Sequence, residues 1–294
     1  MGNILRMDFY RLVRSKSLWI MLAIMVVCAA ITMGTVAYML SPGFAEAMQN
    51  AGNAAANTGL RIGVSTPTGS STDLTQLGQE AAQMQAVFSG LTPMALVGQV
   101  FINGGALATI FVIFIAIFFA AEFENGFAKN TFTAQPNRGA VLGARVIEIV
   151  LLAALFVLVC AASILAGAAL AGIETVSAPV GDMALWFALV VLVLAAFGML
   201  TALVSWLTRK MAAGIVAGIV AATGMVVAII GALLSLFPAV SHLTDFTLYS
   251  CISSLALGVN IDGGLSAVHI ACIGLVFLAI YAVLSFIVLK KKDV

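Results

Sequence analysis

The stretch Thr109–Ala121, TIFVIFIAIFFAA, decides the fold class. It contains no charged side chain, and it lacks the alternation of polar and apolar residues that marks a strand of a transmembrane β-barrel. Helices and closed barrels are the structures that satisfy every backbone polar group in lipid, so the stretch predicts a helix. The apolar run extends back to Leu96, which makes it long enough to span a bilayer, since a spanning helix needs about 20 residues.

The composition of the whole chain agrees with a membrane location. The 294 residues are 63% hydrophobic and 9% charged, whereas soluble domains are roughly half apolar and about a quarter charged. Six apolar runs are predicted to span the membrane: Leu18–Leu40, Leu96–Ala121, Val146–Gly172, Ala184–Leu207, Ala212–Phe237 and Ser266–Leu289. The sequence therefore predicts an all-α membrane protein, a single transmembrane domain over residues 1–294 with six transmembrane helices.

The distribution of basic residues predicts the orientation. Of the 13 lysines and arginines, all but Arg61 lie in the N-terminal segment, after the second span, after the fourth span or in the C-terminal tail. Basic residues are retained on the cytoplasmic side of membranes. We therefore expect a multi-pass protein of the cell membrane with both termini in the cytoplasm.

The N-terminal segment, residues 2–16, predicts an amphipathic helix that lies in the inner membrane interface. Its arginines lie largely off the face formed by the apolar residues, which are Ile4, Leu5, Phe9, Leu12 and Val13. Such helices bury the apolar face in lipid and direct Lys and Arg toward anionic head groups. The alternative is a basic flank that only sets the topology.

Two outer segments have distinct compositions. Residues 41–95 form a long extracellular loop rich in Asn, Gln, Gly, Ser and Thr, and we expect a partly helical cap in which Asp73 begins a short helix through Ala86. Residues 238–265 combine an apolar stretch with several glycines, which predicts short re-entrant helices before the last span. The alternative for this second segment is an ordinary interfacial loop.

The chain lacks the residue patterns of an enzyme or a metal protein. It has two histidines, and it contains no HExxH motif, no GxSxG motif and no Walker A loop. Its four cysteines show no CxxC pairing, so we expect neither a disulfide nor a metal site. We therefore predict that this chain is not an enzyme and holds no cofactor.

Polar residues are rare inside the predicted spans. Gln99 and Asn103 are four residues apart, on one face of a helix, and are the candidate residues of a translocation path. Glu148 follows Arg145 by three residues, so we expect the two to pair near the inner interface. Arg138 and Arg145 are expected to face lipid head groups. Ionisable residues near mid-bilayer, the usual mark of an ion-coupled transporter, are lacking.

The segment Ala121–Val146, AEFENGFAKNTFTAQPNRGAVLGARV, gathers charge between two apolar spans. Glu122 and Glu124 suit the positive end of a short helix that follows them. Pro136 ends that helix, and Asn137–Gly139 are expected to turn the chain. Since Phe127 and Phe132 add aromatic tips, we expect a compact docking element on the inner surface. The alternative is a plain loop between two helices.

This segment resembles the exit of the second span in permeases of the ABC-2 transporter family. The similarity consists of an acidic pair, a glycine, a lysine and the sequence Pro136-Asn137-Arg138, with Phe127 and Phe132 in place of the Thr and Leu common in the family. The N-terminal interfacial helix, the six spans, the long first outer loop and the short helices before the last span extend the resemblance over the whole chain.

The resemblance implies that residues 122–142 form a coupling segment that docks into a cytosolic ATPase. The residues implied in docking are Glu122, Glu124, Gly126, Phe127, Lys129, Phe132, Pro136 and Arg138. It also implies two ATPase subunits that bind ATP and magnesium, and a second permease that is an identical copy or a paralogue. The expected function is export of a peptide, such as an antimicrobial peptide, or of a hydrophobic compound.

Other classes of function remain open at this point. One is an ion-coupled transporter or channel, which would need buried ionisable residues or an internal repeat. Another is a non-transporting sensor or immunity protein whose outer segment 41–95 binds a ligand. A membrane enzyme is disfavoured by the lack of paired catalytic residues, and no nucleic-acid partner is expected.

Overall fold

The computed structural model describes residues 2–41, 43–44, 46–47, 50, 64–65, 71–72, 90–124, 138–173, 175–234, 243–259 and 264–291. The helices in this part of the chain are α1 (Gly2–Arg14), α2 (Lys16–Leu40), α3 (Pro93–Val97), α4 (Ala106–Glu124), α5 (Arg138–Leu170), α6 (Val180–Thr208), α7 (Met211–Ala222), α8 (Met225–Leu234), α9 (Leu248–Leu255) and α10 (Ala267–Lys291). A π-helical turn, Gly98–Ile102, and a 3₁₀ turn, Asn103–Gly105, join α3 to α4. The two strands β1 (Val64–Ser65) and β2 (Ser71–Thr72) form a small antiparallel hairpin.

The prediction of an all-helical, multi-pass membrane protein is confirmed. Within the described residues, five helical segments are long and apolar enough to cross a membrane, and the bent pair α7–α8 makes six if it forms one span. The third span begins earlier than expected, because α5 starts at Arg138 rather than near Val146. In the outer segment 41–95 the structure describes the hairpin, which was not predicted, whereas the expected helix from Asp73 to Ala86 lies outside the described residues.

Helix α6 forms the centre of the bundle. It contacts α4, α5, α7, α9 and α10, and it is the most deeply buried of the spanning helices. Packed phenylalanines fill the adjoining space, with the ring of Phe156 edge-on to Phe111 at 5.4 Å. By contrast α2 and α10 have the lowest buried share of the spanning helices. Many apolar side chains of these two outer helices are therefore exposed at the surface of the bundle.

The small residues of α7 allow close helix contact inside the chain. Gly214, Gly218 and Ala222 are buried. A Cβ atom on Gly214 would collide with Oγ of Ser205, and one on Gly218 would lie 2.8 Å from Oγ1 of Thr201. Small residues at this spacing let two backbones approach closely. The contact lies within the chain, between α7 and both α6 and α4.

Two spans are broken, and neither break was predicted from the sequence. The first lies between α3 and α4, where Gly104 and Gly105 have φ angles of 80° and 75°. The second lies between α7 and α8, whose axes differ by 49°. The breaks face each other, because a Cβ atom on Gly105 would collide with the carbonyl oxygen of Ala222. Glycine is required at both positions of the first break since L side chains rarely adopt this backbone conformation.

The short helix α9 packs against the first break. Thr247 caps it, since its side chain accepts a hydrogen bond from the Ser250 N–H at 3.2 Å. The Trp186 indole donates to the carbonyl oxygen of Leu255 at 2.8 Å, which fixes α9 to α6. A Cβ atom on Gly98 would collide with the carbonyl oxygen of Ala256. The end of α9 therefore lies directly on the π-helical turn.

We predict that Gly105→Ala destabilises the protein more than Gly104→Ala. Both substitutions place a Cβ atom in a left-handed conformation, which costs about 1–2 kcal/mol. Only the Cβ at position 105 would also meet backbone, whereas at position 104 no atom lies within 4 Å. The collision adds about 1–3 kcal/mol. Thermal unfolding of the purified variants in detergent measures the difference, and equal losses of Tm would contradict the packing of the two breaks.

Candidate functional site

The candidate site is the end of the bundle at which α1 lies, named here the α1 end. Glu122 and Glu124 lie in the last turn of α4, and Arg138 is the first residue of α5. Both helices meet at the α1 end, so the segment 125–137 leaves and returns there. The structure does not describe the side chains of these three residues. The other predicted docking residues lie outside the described part of the chain, and they are Gly126, Phe127, Lys129, Phe132 and Pro136.

A buried cluster of three charged side chains joins α1 to α5 at this end. Nη1 of Arg145 lies 3.0 Å from Oδ2 of Asp8 and 2.7 Å from Oε2 of Glu148. The exposed fraction of each residue is 6% or less. Because removing a charge from water is costly, buried charges persist when they are paired, and removal of one partner leaves the others uncompensated. We refer to these residues as the Asp8–Arg145–Glu148 cluster.

Aromatic rings extend this cluster to α4 and α6. The guanidinium of Arg11 lies over the ring of Phe118, with 4.6 Å between Cζ and the ring centroid, and that of Arg145 lies 5.6 Å from the centroid of Phe119. The Phe119 ring in turn meets Trp206 of α6 edge-on at 5.4 Å. Cation–π contacts of this kind contribute about 0.5–2 kcal/mol each. Four helix ends are thus held together where the segment 125–137 is attached.

Part of this cluster could be predicted from the sequence, and part could not. The pairing of Arg145 with Glu148 is confirmed, but the expectation that Arg145 faces lipid head groups is wrong. Its side chain is 3% exposed because α1 covers it with Asp8. Asp8 was missed altogether. The available signal was its position as the only acidic residue before Glu46, in a segment otherwise rich in arginine.

Helix α1 turns a face that contains Asp8 and Leu12 toward the bundle. Asp8 and Leu12 are buried against α5, while 58% of Phe9 and 42% of Val13 are exposed. The exposed apolar side chains stand beside Arg14, whose Nη1 donates to the Tyr10 hydroxyl at 2.6 Å. This outward mixture of aromatic, aliphatic and basic groups is the composition of a helix that lies on a membrane surface.

Gln99 and Asn103 lie far from the α1 end. Asn103 Nδ2 donates to Gln99 Oε1 at 3.1 Å, so the structure brings the two predicted residues together. They lie at the first break, beyond the N-terminus of α4. The 19 residues of that helix place them about 28 Å from Glu124 at about 1.5 Å per residue. That is close to the thickness of the hydrocarbon core.

A cavity with both hydroxyl-bearing and apolar walls lies beside the second break. It has a volume of about 430 Å³, and its walls include Thr223, Gly224, Thr244, Tyr249, Ser250 and Ser253. Several hydroxyls are already bonded, since Ser250 Oγ donates to the Thr244 carbonyl oxygen at 2.7 Å. The two breaks and α9 therefore place backbone and hydroxyl groups together at the end of the bundle opposite α1.

Cys251 and His269 are both packed within the fold. Burial raises the pKa of the Cys251 thiol to about 12, so this thiol stays protonated at neutral pH. All four cysteines are free. Nε2 of His269 lies 3.3 Å from the Asp245 carbonyl oxygen, as expected for a packed histidine. Within the described part of the chain, no group of three or more His, Cys, Asp or Glu residues could hold a metal ion.

No protein-family model matches the sequence, and no curated protein matches it.

We predict that Arg145→Met lowers the free energy of unfolding by about 3–5 kcal/mol, because it leaves two carboxylates buried without their cation. Thermal unfolding in detergent measures the loss. Arg6→Met is the matched control: Arg6 is exposed on the same end of the molecule, and its replacement should change stability by less than about 0.5 kcal/mol.

A triple variant separates charge from packing. Asp8→Asn, Glu148→Gln and Arg145→Met together remove every charge of the cluster, so the combined variant should be more stable than Arg145→Met alone. A wild-type Tm for Arg145→Met, or no recovery in the triple variant, would contradict the assigned role of the cluster.

Proposed function

We propose that the chain is the membrane-spanning subunit of an ATP-driven ABC-2 type exporter, and that ATP is hydrolysed on separate cytosolic ATPase subunits. The observation that carries the proposal is the joining of α1, α4, α5 and α6 around the base of segment 125–137. A segment that passes force from an ATPase to the spans needs both of its ends held firmly to those spans. The Asp8–Arg145–Glu148 cluster and the rings of Phe119 and Trp206 supply that attachment.

The proposed orientation places the α1 end in the cytoplasm. Arg6, Arg11 and Arg14 lie on α1, and Lys290 and Lys291 end α10. Basic residues favour the cytoplasmic side. The exposed Phe9 and Val13 would then lie in the inner membrane interface, and both termini would be cytoplasmic in the cell membrane. In this orientation segment 125–137 faces the compartment that contains ATP.

The proposed translocation path runs past the broken spans. Irregular backbone at membrane depth is tolerated where it is covered by protein or lines a polar cavity. Gln99 and Asn103 lie at the first break and form an exposed pair of side-chain amides. Helix α9 would be a re-entrant helix that supports this break. Exposed amides in a membrane need a polar neighbour, so a second permease subunit, identical or paralogous, would complete the wall of the path.

Ion-coupled transport is the second candidate function, and a specific observation favours it. The Asp8–Arg145–Glu148 cluster is buried and ionisable, and such groups often form proton or ion pathways. The charges, however, are mutually paired and lie at one end of the bundle rather than near its middle. An ion-coupled transporter would move substrate in vesicles containing this chain alone, whereas the proposed exporter would need its ATPase and ATP.

Affinity purification of the full-length chain from its native membranes tests the proposed function. We expect ATPase subunits to co-purify and to hydrolyse ATP in the recovered complex. Phe127→Ser or Glu122→Ala should reduce the recovered ATPase activity by about tenfold or more, since loss of a central interface contact costs about 2 kcal/mol. The yield of the membrane chain should be unchanged.

The matched control is Phe246→Ser, because Phe246 is also exposed but lies near α9, away from the α1 end. This variant should retain the full ATPase activity. Recovery of no ATPase with the wild-type chain, or equal recovery with all three variants, would reject the coupling assignment.

A further inference from the structure

A cavity of about 260 Å³ lies between α1 and α5, next to the Asp8–Arg145–Glu148 cluster. Its walls include Asp8, Phe9 and Leu12 from α1, and Glu148, Leu152 and Leu155 from α5. The apolar residues make up most of the lining, and the acidic groups lie together at one place in it. The proposed export function uses Asp8 and Glu148 as members of the Asp8–Arg145–Glu148 cluster, and it requires no ligand in this cavity.

The charge of the lining points to a cationic ligand. Two of the lining side chains are acidic and none is basic. Asp8 is 2% exposed, and its Oδ2 faces Arg145. Its Oδ1 accepts no hydrogen bond from any residue that the structure describes. Buried polar atoms are nearly always bonded, and a carboxylate oxygen accepts from donors only. Asp8 is also a lining residue of the cavity, so a donor bound there lies beside this carboxylate.

The shape of the cavity indicates an amphiphile. At its rim 58% of Phe9 and 49% of Leu151 are exposed, so the opening is apolar and suits entry from lipid. Leu151, Leu152 and Leu155 form a continuous apolar wall along α5, on one side of that helix. The volume is below the roughly 300–1,000 Å³ of pockets that enclose a whole drug-sized ligand. A compact head group and the first part of an alkyl chain fit these limits.

We propose that this cavity binds the primary ammonium group of an amphiphile, with the ammonium at Asp8 and Glu148 and the alkyl chain along Leu152 and Leu155. A primary ammonium has three N–H donors, whereas a quaternary ammonium has none. The ammonium can come from an ethanolamine phospholipid or from a free alkylamine. The exposed Arg6 is three residues from Phe9 on α1, which places a cation near the rim for a lipid phosphate.

Thermal unfolding of the purified full-length chain in dodecyl maltoside tests the ligand chemistry. Dioleoyl-phosphatidylethanolamine and dodecylamine are each titrated, with dioleoyl-phosphatidylcholine and dodecyltrimethylammonium as the matched quaternary compounds. We expect a saturable rise in Tm with the primary ammonium compounds and a smaller one with their quaternary partners. A response to the phospholipid alone identifies lipid as the source, and a response to dodecylamine alone identifies a free amine. Equal responses to primary and quaternary compounds would overturn the proposal.

Two variants locate the binding. Asp8→Asn removes the acceptor charge while Arg145 keeps its bond to Glu148, and it should weaken the response about tenfold or more. Leu155→Trp fills the cavity and leaves all three charges in place, so it tests the site even if Asp8→Asn unfolds the protein. Asp245→Asn, at an exposed aspartate outside the cavity, should respond as the wild type does. A wild-type response from Leu155→Trp, or from a folded Asp8→Asn, would overturn the site.

Discussion

The burial of Arg145 between Asp8 and Glu148 is the interaction on which the organisation of the α1 end depends. A guanidinium in an apolar surrounding has no water to stabilise it, so its carboxylate partners must stay within contact distance. Asp8 is on α1 and Glu148 is on α5, and this requirement fixes α1 against the third span. Once α1 is fixed, Arg11 is held over Phe118, and the rings at the ends of α4 and α6 pack beneath the cluster.

The two ends of the bundle are stabilised by different means. The α1 end relies on charges that tolerate little separation, because their attraction replaces lost hydration. The opposite end relies on backbone contacts, in which Gly98 and Gly105 leave room for the carbonyl oxygens of Ala256 and Ala222. Such contacts bring irregular backbone and polar groups close together without any formal charge. The 19 residues of α4 separate these two ends by about 28 Å.

Features that depend on residues close together in the sequence could be predicted, whereas features that depend on distant residues could not. Spans are local in origin, because each is an apolar run that satisfies its own backbone, and the helix class could be predicted from Thr109–Ala121. The burial of Arg145 could not be predicted, because it depends on Asp8, which lies far away in the sequence. In the sequence, Asp8 is a single acidic residue within a basic segment. The break at Gly105 depends similarly on Ala222 of another span. The docking residues between Gly126 and Pro136 lie outside the described part of the chain and stay predictions.

Asp8 belongs both to the buried cluster at the α1 end and to the lining of the cavity. Its Oδ2 pairs with Arg145, and Asp8 is also a lining residue of the cavity, so a single carboxylate belongs both to the buried cluster and to the proposed ammonium site. An ammonium bound at Oδ1 would add a second cation to a cluster of two carboxylates and one guanidinium. It would thereby favour the arrangement in which α1 rests on α5. Since α5 also begins at the end of segment 125–137, amphiphile binding would stabilise the attachment of that segment without touching it. The molecule would then be most rigid at its α1 end in a membrane that supplies primary ammonium groups.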